Sequence, residues 1–186
     1  MAYFRLIRDR ASRFSTSIVA EQVNNLCYSS LNLCARQTFN LVDCSTPYVI
    51  DQFCQPLAQY AKGRDLQLMH FMLCFKDSTE QYFSGAELMK LAAALSEFLG
   101  RLQVMAFAYK YRHATELHLL VSPVHPDTGE CYHPEKVYVA LWHYLRFLSA
   151  KPELWGGKRW FPLDGEAPIE RLTSLYGPEV LRLHSP

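Results

Sequence analysis

Glu116 and His118 stand two residues apart in the stretch TELHLLV, and no other pair in the chain offers as much chemistry. On a β-strand, residues i and i+2 leave the same face, so a carboxylate and an imidazole would project side by side. Leu117, Leu119 and Val121 would point the other way, into a core. A divalent cation that polarises a phosphate needs a few nitrogen and oxygen ligands, with positions left open. Glu116 and His118 would supply two, and His113, at the end of the preceding turn, could curl back to supply a third. The same Glu-x-His spacing also suits the solvent-facing side of an edge strand. His70 lies inside an apolar run, LQLMHFMLCF. It reads either as a core histidine satisfied by hydrogen bonds or as a supporting partner of such a site.

These residues must be held by strands. Residues 103–109 are an almost unbroken apolar run, as expected of a buried strand. A polar, basic connection follows at 110–114, then a second strand over 115–124, then a Pro126-Asp127-Thr128-Gly129 turn. Upstream, alternation predicts a strand at 2–7. Ser15, Thr16 and Ser17 offer N-caps to a helix running to about Cys34. A short strand is expected at 39–44. Thr46-Pro47 should open a second helix, which Lys62-Gly63-Arg64 ends. Residues 66–75 read as a long strand, and Ser84 with Glu87 forms a capping box for a third helix, closed by Gly100. Pro134 begins a fourth. From Lys151 the texture changes to Trp, Gly and Pro, with a short helix expected only within 166–176. Residues 151–186 read as an appendage held on a 1–150 domain by Trp155, Trp160 and Phe161. The order of elements predicts an α+β fold: a mainly antiparallel central sheet of about five strands with helices packed on it.

Composition narrows the class. The 186 residues are enough for one substantial core, and 49% hydrophobic with 20% charged is a globular balance. No apolar run approaches the ~18 residues of a membrane helix, and the start MAYFRLIRDR has no signal-like apolar segment. A cytoplasmic protein is expected. The six cysteines form no C-x-x-C pair, so they read as small reduced core residues, not as a zinc knuckle. The net charge of +1 is low for a dedicated nucleic-acid binder. Yet Arg5, Arg8, Arg10 and Arg13 cluster, either as a phosphate-contacting patch or as charges that keep an edge strand from pairing.

Taken together, LQLMHFMLCFKD, a capped helix, then QVMAFAYKYRHATELHLLVSPVHPDTGECYH and a further helix resemble the relaxases, the mobilisation nucleases of the HUH endonuclease superfamily. That family carries a histidine-bearing strand ending in Ser-Phe, matched here by His70 through Cys74-Phe75. It then shows a His-x-His strand followed by Asn-Pro-x-Asn-Pro-x-Thr-Gly, matched by 116–129. The resemblance covers about residues 1–150 and implies cutting of one strand of plasmid or transposon DNA at a transfer origin. A tyrosine of the first helix attacks the phosphodiester and stays joined to the 5′ phosphate, while a metal on the histidines stabilises phosphate charge.

By that resemblance Tyr28, in NNLCYSSLN, is the nucleophile. On its own it reads equally as an aromatic at the core edge with its hydroxyl at the surface. His118, Glu116 and His113 would hold Mn²⁺ or Mg²⁺, and Arg5, Arg8, Lys110 and Arg112 would contact single-stranded DNA. The chain departs from the pattern at two ligand positions. Tyr109 stands where the family has a first histidine, and Glu116 replaces the first histidine of His-x-His. The loop at 110–113, Lys-Tyr-Arg-His, lacks the usual acidic residues. The resemblance therefore carries two functions: a DNA-nicking transesterase, or a catalytically inactive relative that binds DNA or mobilisation accessory proteins.

Overall fold

The computed structural model describes residues 2–7, 14–28, 31–43, 45–76, 83–160 and 162–164; for residue 28 and for 162–164 it describes the backbone alone. The elements run β1 (Ala2–Ile7), α1 (Thr16–Tyr28), β2 (Leu33–Phe39), α2 (Thr46–Tyr60), β3 (Met69–Lys76), α3 (Gly85–Phe98), β4 (Val104–Lys110), β5 (Ala114–Val121), α4 (Pro134–Ser149) and β6 (Pro162–Asp164). The fold is α+β. One sheet has the strand order β2-β4-β5-β3-β1-β6. Its five long strands pair antiparallel, and the three-residue β6 joins the edge parallel to β1.

Each face of the sheet has its own helical layer, which follows from the period-2 patterning. On one face, Phe4, Leu6, Phe71, Leu73, Ala106, Leu117, Leu119 and Val121 pack under α3 and α4. Phe4 stacks on Tyr138 with ring centroids 4.8 Å apart, and the Tyr138 hydroxyl donates to the Phe4 carbonyl at 3.0 Å. A large aromatic thus joins α4 to β1 without leaving a buried polar atom unpaired. On the other face, Met105, Phe107, Tyr109 and Leu120 pack under α1 and α2 through Val19, Val23, Leu26, Val49, Ile50 and Phe53.

The capping box expected at Ser84 and Glu87 is present in both directions. α2 begins with Ser45 as N-cap, one residue before the expected Thr46, and has proline in its first turn. α1 stops at Tyr28, short of Cys34, and the strand expected at 39–44 instead occupies Leu33–Phe39. Leu33 continues the helical stripe in spacing, but it pairs with Tyr109 of β4, and ladder pairing overrides local periodicity. Asn40, at φ 56°, ends β2, and its side-chain amide donates to the Gly100 and Leu102 carbonyls at 2.8 Å each. Trp155 and Trp160 are buried in the α3/α4 core. That segment also adds β6 to the sheet, which its Pro- and Gly-rich texture conceals. Phe161 and the helix expected in 166–176 lie outside the described residues, as does Cys44. The five described cysteines are all unpaired, with Cys54 and Cys74 buried but Cys34 exposed on the edge strand β2.

Gly129 closes the Pro126-Asp127-Thr128-Gly129 turn at φ 72°, and a Cβ there would sit 2.6 Å from Cγ of Tyr60, the last residue of α2. Gly63, at φ 79°, has nothing within 4 Å of a built Cβ. Gly63→Ala should therefore cost about 1 kcal/mol for the left-handed conformation alone, and Gly129→Ala roughly 1–3 kcal/mol more for the collision. Chemical denaturation checks this, with Tyr60→Ala recovering the second part in the double variant. Equal costs for the two glycine substitutions would refute the packing role.

Candidate functional site

The site forms because antiparallel register turns sequence parity into lateral rows. One row across the α1/α2 face reads Tyr3, Cys74, Glu116, Tyr109; the next reads Arg5, Met72, His118, Phe107. Glu116 and His118 do share a face, as their spacing predicts. Their side chains are 21% and 13% exposed, and His118 Nε2 lies 3.2 Å from Glu116 Oε2. His70 sits diagonally across the β3–β5 pair, the distance at which long side chains still meet. Its Nε2 lies 2.9 Å from His118 Nδ1. The imidazole of His118 is thus held at both ring nitrogens, between a carboxylate and a second imidazole.

The protonation states follow from these contacts. The hydrogen bond from His118 outweighs desolvation and holds the Glu116 carboxyl below its usual range, assisted by the Cys74 thiol. Burial, then the neighbouring His118, pushes His70 down to about 3. Burial, then the Glu116 charge, pushes the Cys74 thiol up to about 11, so it remains a donor and not a nucleophile. With Glu116 ionised, His118 Nε2 must carry the proton that bridges them. When His118 is neutral, its Nδ1 accepts from His70 Nε2–H; when it is charged, the direction of that bond reverses.

Tyr109 pairs with Glu116 in the β4–β5 ladder and packs edge-on against His118, with ring centroids 5.2 Å apart. Its buried hydroxyl donates to the Leu26 carbonyl, in the last turn of α1. Burial raises the Tyr109 pKa, so this donor stays protonated. The residue that stands at a ligand position in the resemblance is here a tether. It fixes the end of α1, whose last residue is Tyr28, over the strand face that bears Glu116 and His118. The side chain of Tyr28 lies outside the described residues.

The remaining expected residues divide. His113 is exposed in the β4–β5 turn. Among the described residues, no group of three or more His, Cys, Asp or Glu side chains is arranged to hold a metal ion. Glu116 and His118 thus meet as a bonded pair, and the described donors do not make up the three-ligand centre that the resemblance implies. Arg5 is exposed on the same face, one row along from Glu116 and in the row of His118. Lys110 and Arg112 are exposed at the β4–β5 turn. Arg8 lies outside the described residues. His125 organises its own turn, its Nδ1 accepting from the Asp127 and Thr128 amides at 3.2 Å each. His133 is the N-cap of α4 without a side-chain capping bond.

The Tyr109 tether was not anticipated, whereas a supporting role for His70 was one of the two readings of its sequence. A histidine inside an apolar strand is itself a signal, because a buried ring nitrogen demands a partner. Parity alone could not say that β3 would lie beside β5.

No family model, no curated protein and no solved structure matches the chain. No helix among the described residues is long and apolar enough to cross a membrane.

The depressed values give a signed pH dependence. The unfolded chain binds a proton at His70 below its ordinary 6.5, whereas the folded chain resists one until about 3. Stability therefore falls on acidification through that window. The Glu116 contribution, present above the ordinary carboxylate pKa, is lost as pH falls through its lowered value, in the same direction. His70→Gln should flatten the slope of unfolding free energy against pH between 6 and 4 by up to about 1.4 kcal/mol per pH unit. Urea titrations at stepped pH measure it. An unchanged slope would show that His70 does not carry the linkage.

Proposed function

We propose that the protein is a relaxase-like, cytoplasmic protein of plasmid or transposon mobilisation that binds single-stranded DNA at a transfer origin, and that its chemistry is phosphodiester transfer to Tyr28. What supports this reading most is the tether: α1 ends at Tyr28, and Tyr109 ties that last turn to the strand carrying Glu116 and His118. Arg5 on the same face, with Lys110 and Arg112 at the adjoining turn, supplies cations for backbone phosphates.

The step balances without a redox partner. The Tyr28 phenol loses its proton as its oxygen bonds phosphorus. The bond from phosphorus to the 3′ oxygen breaks, and that oxygen takes up a proton. The products are a 5′-phosphotyrosyl link and a free 3′-hydroxyl. Glu116 and His118 are the acid–base pair assigned to the proton transfers. No step is routed through a metal, because the described donors do not make a site for one.

A second reading is binding without cleavage, in the service of DNA or of mobilisation accessory proteins. It is favoured by a specific observation: both ring nitrogens of His118 are already engaged inside the protein.

A 3′-labelled single strand containing an origin separates the two readings, assayed with manganese, with magnesium and with chelator. Under the first reading the label transfers to wild-type protein and not to Tyr28→Phe. Under the second, binding is tight and salt-sensitive but no covalent species forms. In either case Arg5→Ala should lower the slope of log affinity against log salt by about 0.7. A wild-type protein that neither binds nor labels removes both DNA readings.

A further inference from the structure

The two edges of the sheet are treated differently. The β1 edge is covered by β6. On its outer side, β2 pairs with no strand among the described residues. The hydrogen-bond pattern says which groups that leaves. The Ser122 amide donates to the Gln103 carbonyl at 3.0 Å and the Tyr111 amide to the Ala114 carbonyl at 2.8 Å, so the odd-numbered residues of β4 bond toward β5. The even-numbered residues bond toward β2, where they pair with Ala35, Gln37 and Phe39. The backbone N–H and C=O groups of Arg36 and Thr38 therefore point outward from the sheet.

Natural edges are kept from pairing by charge, proline or irregularity. β2 has little of this. Its sequence, LCARQTF, holds one charge and no proline. That charge is turned into the α1/α2 layer, where Arg36 Nη1 donates to Thr46 Oγ1 at 3.3 Å and to Cys27 Sγ at 3.9 Å. The irregularity lies between Leu33 and Ala35, and residues 35–39 keep unbroken register with β4. Just before the strand, Leu31 is the most exposed large hydrophobic side chain of the described residues.

We propose that β2 is a self-association edge: two copies of the chain pair β2 against β2, antiparallel about a two-fold axis at Gln37, and join their sheets into one. The residue pattern selects this partner and this register. With Gln37 opposite Gln37, Arg36 and Thr38 face each other in both directions, and each such pair exchanges N–H···O bonds between the outward groups. Ala35 comes opposite Phe39. Both lie on the α3/α4 face and are only partly buried in one copy, so each covers the other. The overlap takes in the whole regular run. A two-fold at Arg36 would set like charges directly opposite. One at Thr38 would bring in Asn40, whose φ of 56° ends the strand. Because α3 lies over β2 and β4 alike, strand spacing puts it about 10 Å from its copy, a normal helix-packing distance. Leu31 is carried toward the second copy's connection at 40–43.

In such a pairing the two-fold stands perpendicular to the sheet, so both α1/α2 faces look the same way. Glu116 and His118 lie on β5, beyond β4 from the paired edge. The two sites therefore sit roughly 24 Å apart on one side of a continuous sheet. This pairing stands independently of what those sites bind.

Analytical ultracentrifugation of the full chain, over a concentration series reaching about 100 μM, tests it, and a micromolar dimer is expected because one pair of strands makes a small interface. Gln37 is exposed, so Gln37→Lys leaves the fold intact, with circular dichroism as the check, and sets like charges face to face on the axis. It should weaken the dimer at least fivefold or so, as should Gln37→Glu. An equimolar mixture of the two variants should recover the affinity of wild type. Amide exchange followed by NMR should slow at Arg36 and Thr38 as the dimer forms. A wild type that stays monomeric throughout the series rejects the proposal. A dimer unaffected by Gln37→Lys would lie on another surface and rejects it too. A mixture no tighter than either variant alone would refute the pairing of Gln37 with its copy.

Discussion

The whole site depends on one partly buried hydrogen-bonded chain, Glu116–His118–His70, in a sheet whose two faces carry separate helical layers. Burying an ionised carboxylate costs several kcal/mol unless charged or polar partners meet it. Here the bond from His118 is the larger effect and desolvation the smaller, since the Glu116 carboxyl is shifted downward despite its burial. His118 in turn would leave one ring nitrogen unpaired, and His70 takes it. Removing any member takes a hydrogen-bond partner from a group that is buried or partly buried, so the three residues are coupled. Their arrangement is set by register. A slip of one residue between β3 and β5 would turn His70 or His118 into the α3/α4 core, where only apolar groups await them.

The two layers divide the work. The α3/α4 face is a dense apolar core that includes stacked Phe4, Phe71 and Tyr138. It provides rigidity and contains none of the site residues. The α1/α2 face is mixed. Over β4 the helices cover Met105, Phe107 and Tyr109. Over β3 and β1 the same face carries His70, Cys74, Tyr3 and Arg5, with the Lys76 ammonium 5.0 Å from the centre of the Tyr3 ring. The polar chain lies where these two halves meet, between a dry wall under α1 and a charged flank on β1. A boundary of that kind combines strong local electrostatics with access for a ligand.

Much of this was legible in the sequence where a short-range rule governs. The Glu-x-His parity, the Ser84–Glu87 capping box, the proline opening α4 and the β4–β5 hairpin are all set by residues within a few positions of one another. What escaped was set by partners far along the chain. Leu33 fits the apolar stripe of α1 and fits β2 equally well, and only its pairing with Tyr109 decides. Tyr109 looked like a missing ligand because its use, a bond to a carbonyl 83 residues earlier, has no local signature. β6 hides in a segment of turns because three residues added to an edge need no strand-like composition, only an unpaired neighbour.

Net charge is a poor guide to what this surface attracts. A total of +1 sums groups spread over the whole molecule, whereas screening confines each to about 10 Å at ordinary salt. What an ion near the surface meets is the local set. Lys76 ends β3, Lys110 ends β4, Arg112 is in the turn beyond, and Arg5 lies in the row of His118. Three of these four come from the end of the sheet where β3 stops and β5 starts, because antiparallel pairing returns the chain there twice. Glu116 sits among them with its charge already bonded to His118 and to the Cys74 thiol. Its field toward solvent is therefore weaker than that of an open carboxylate.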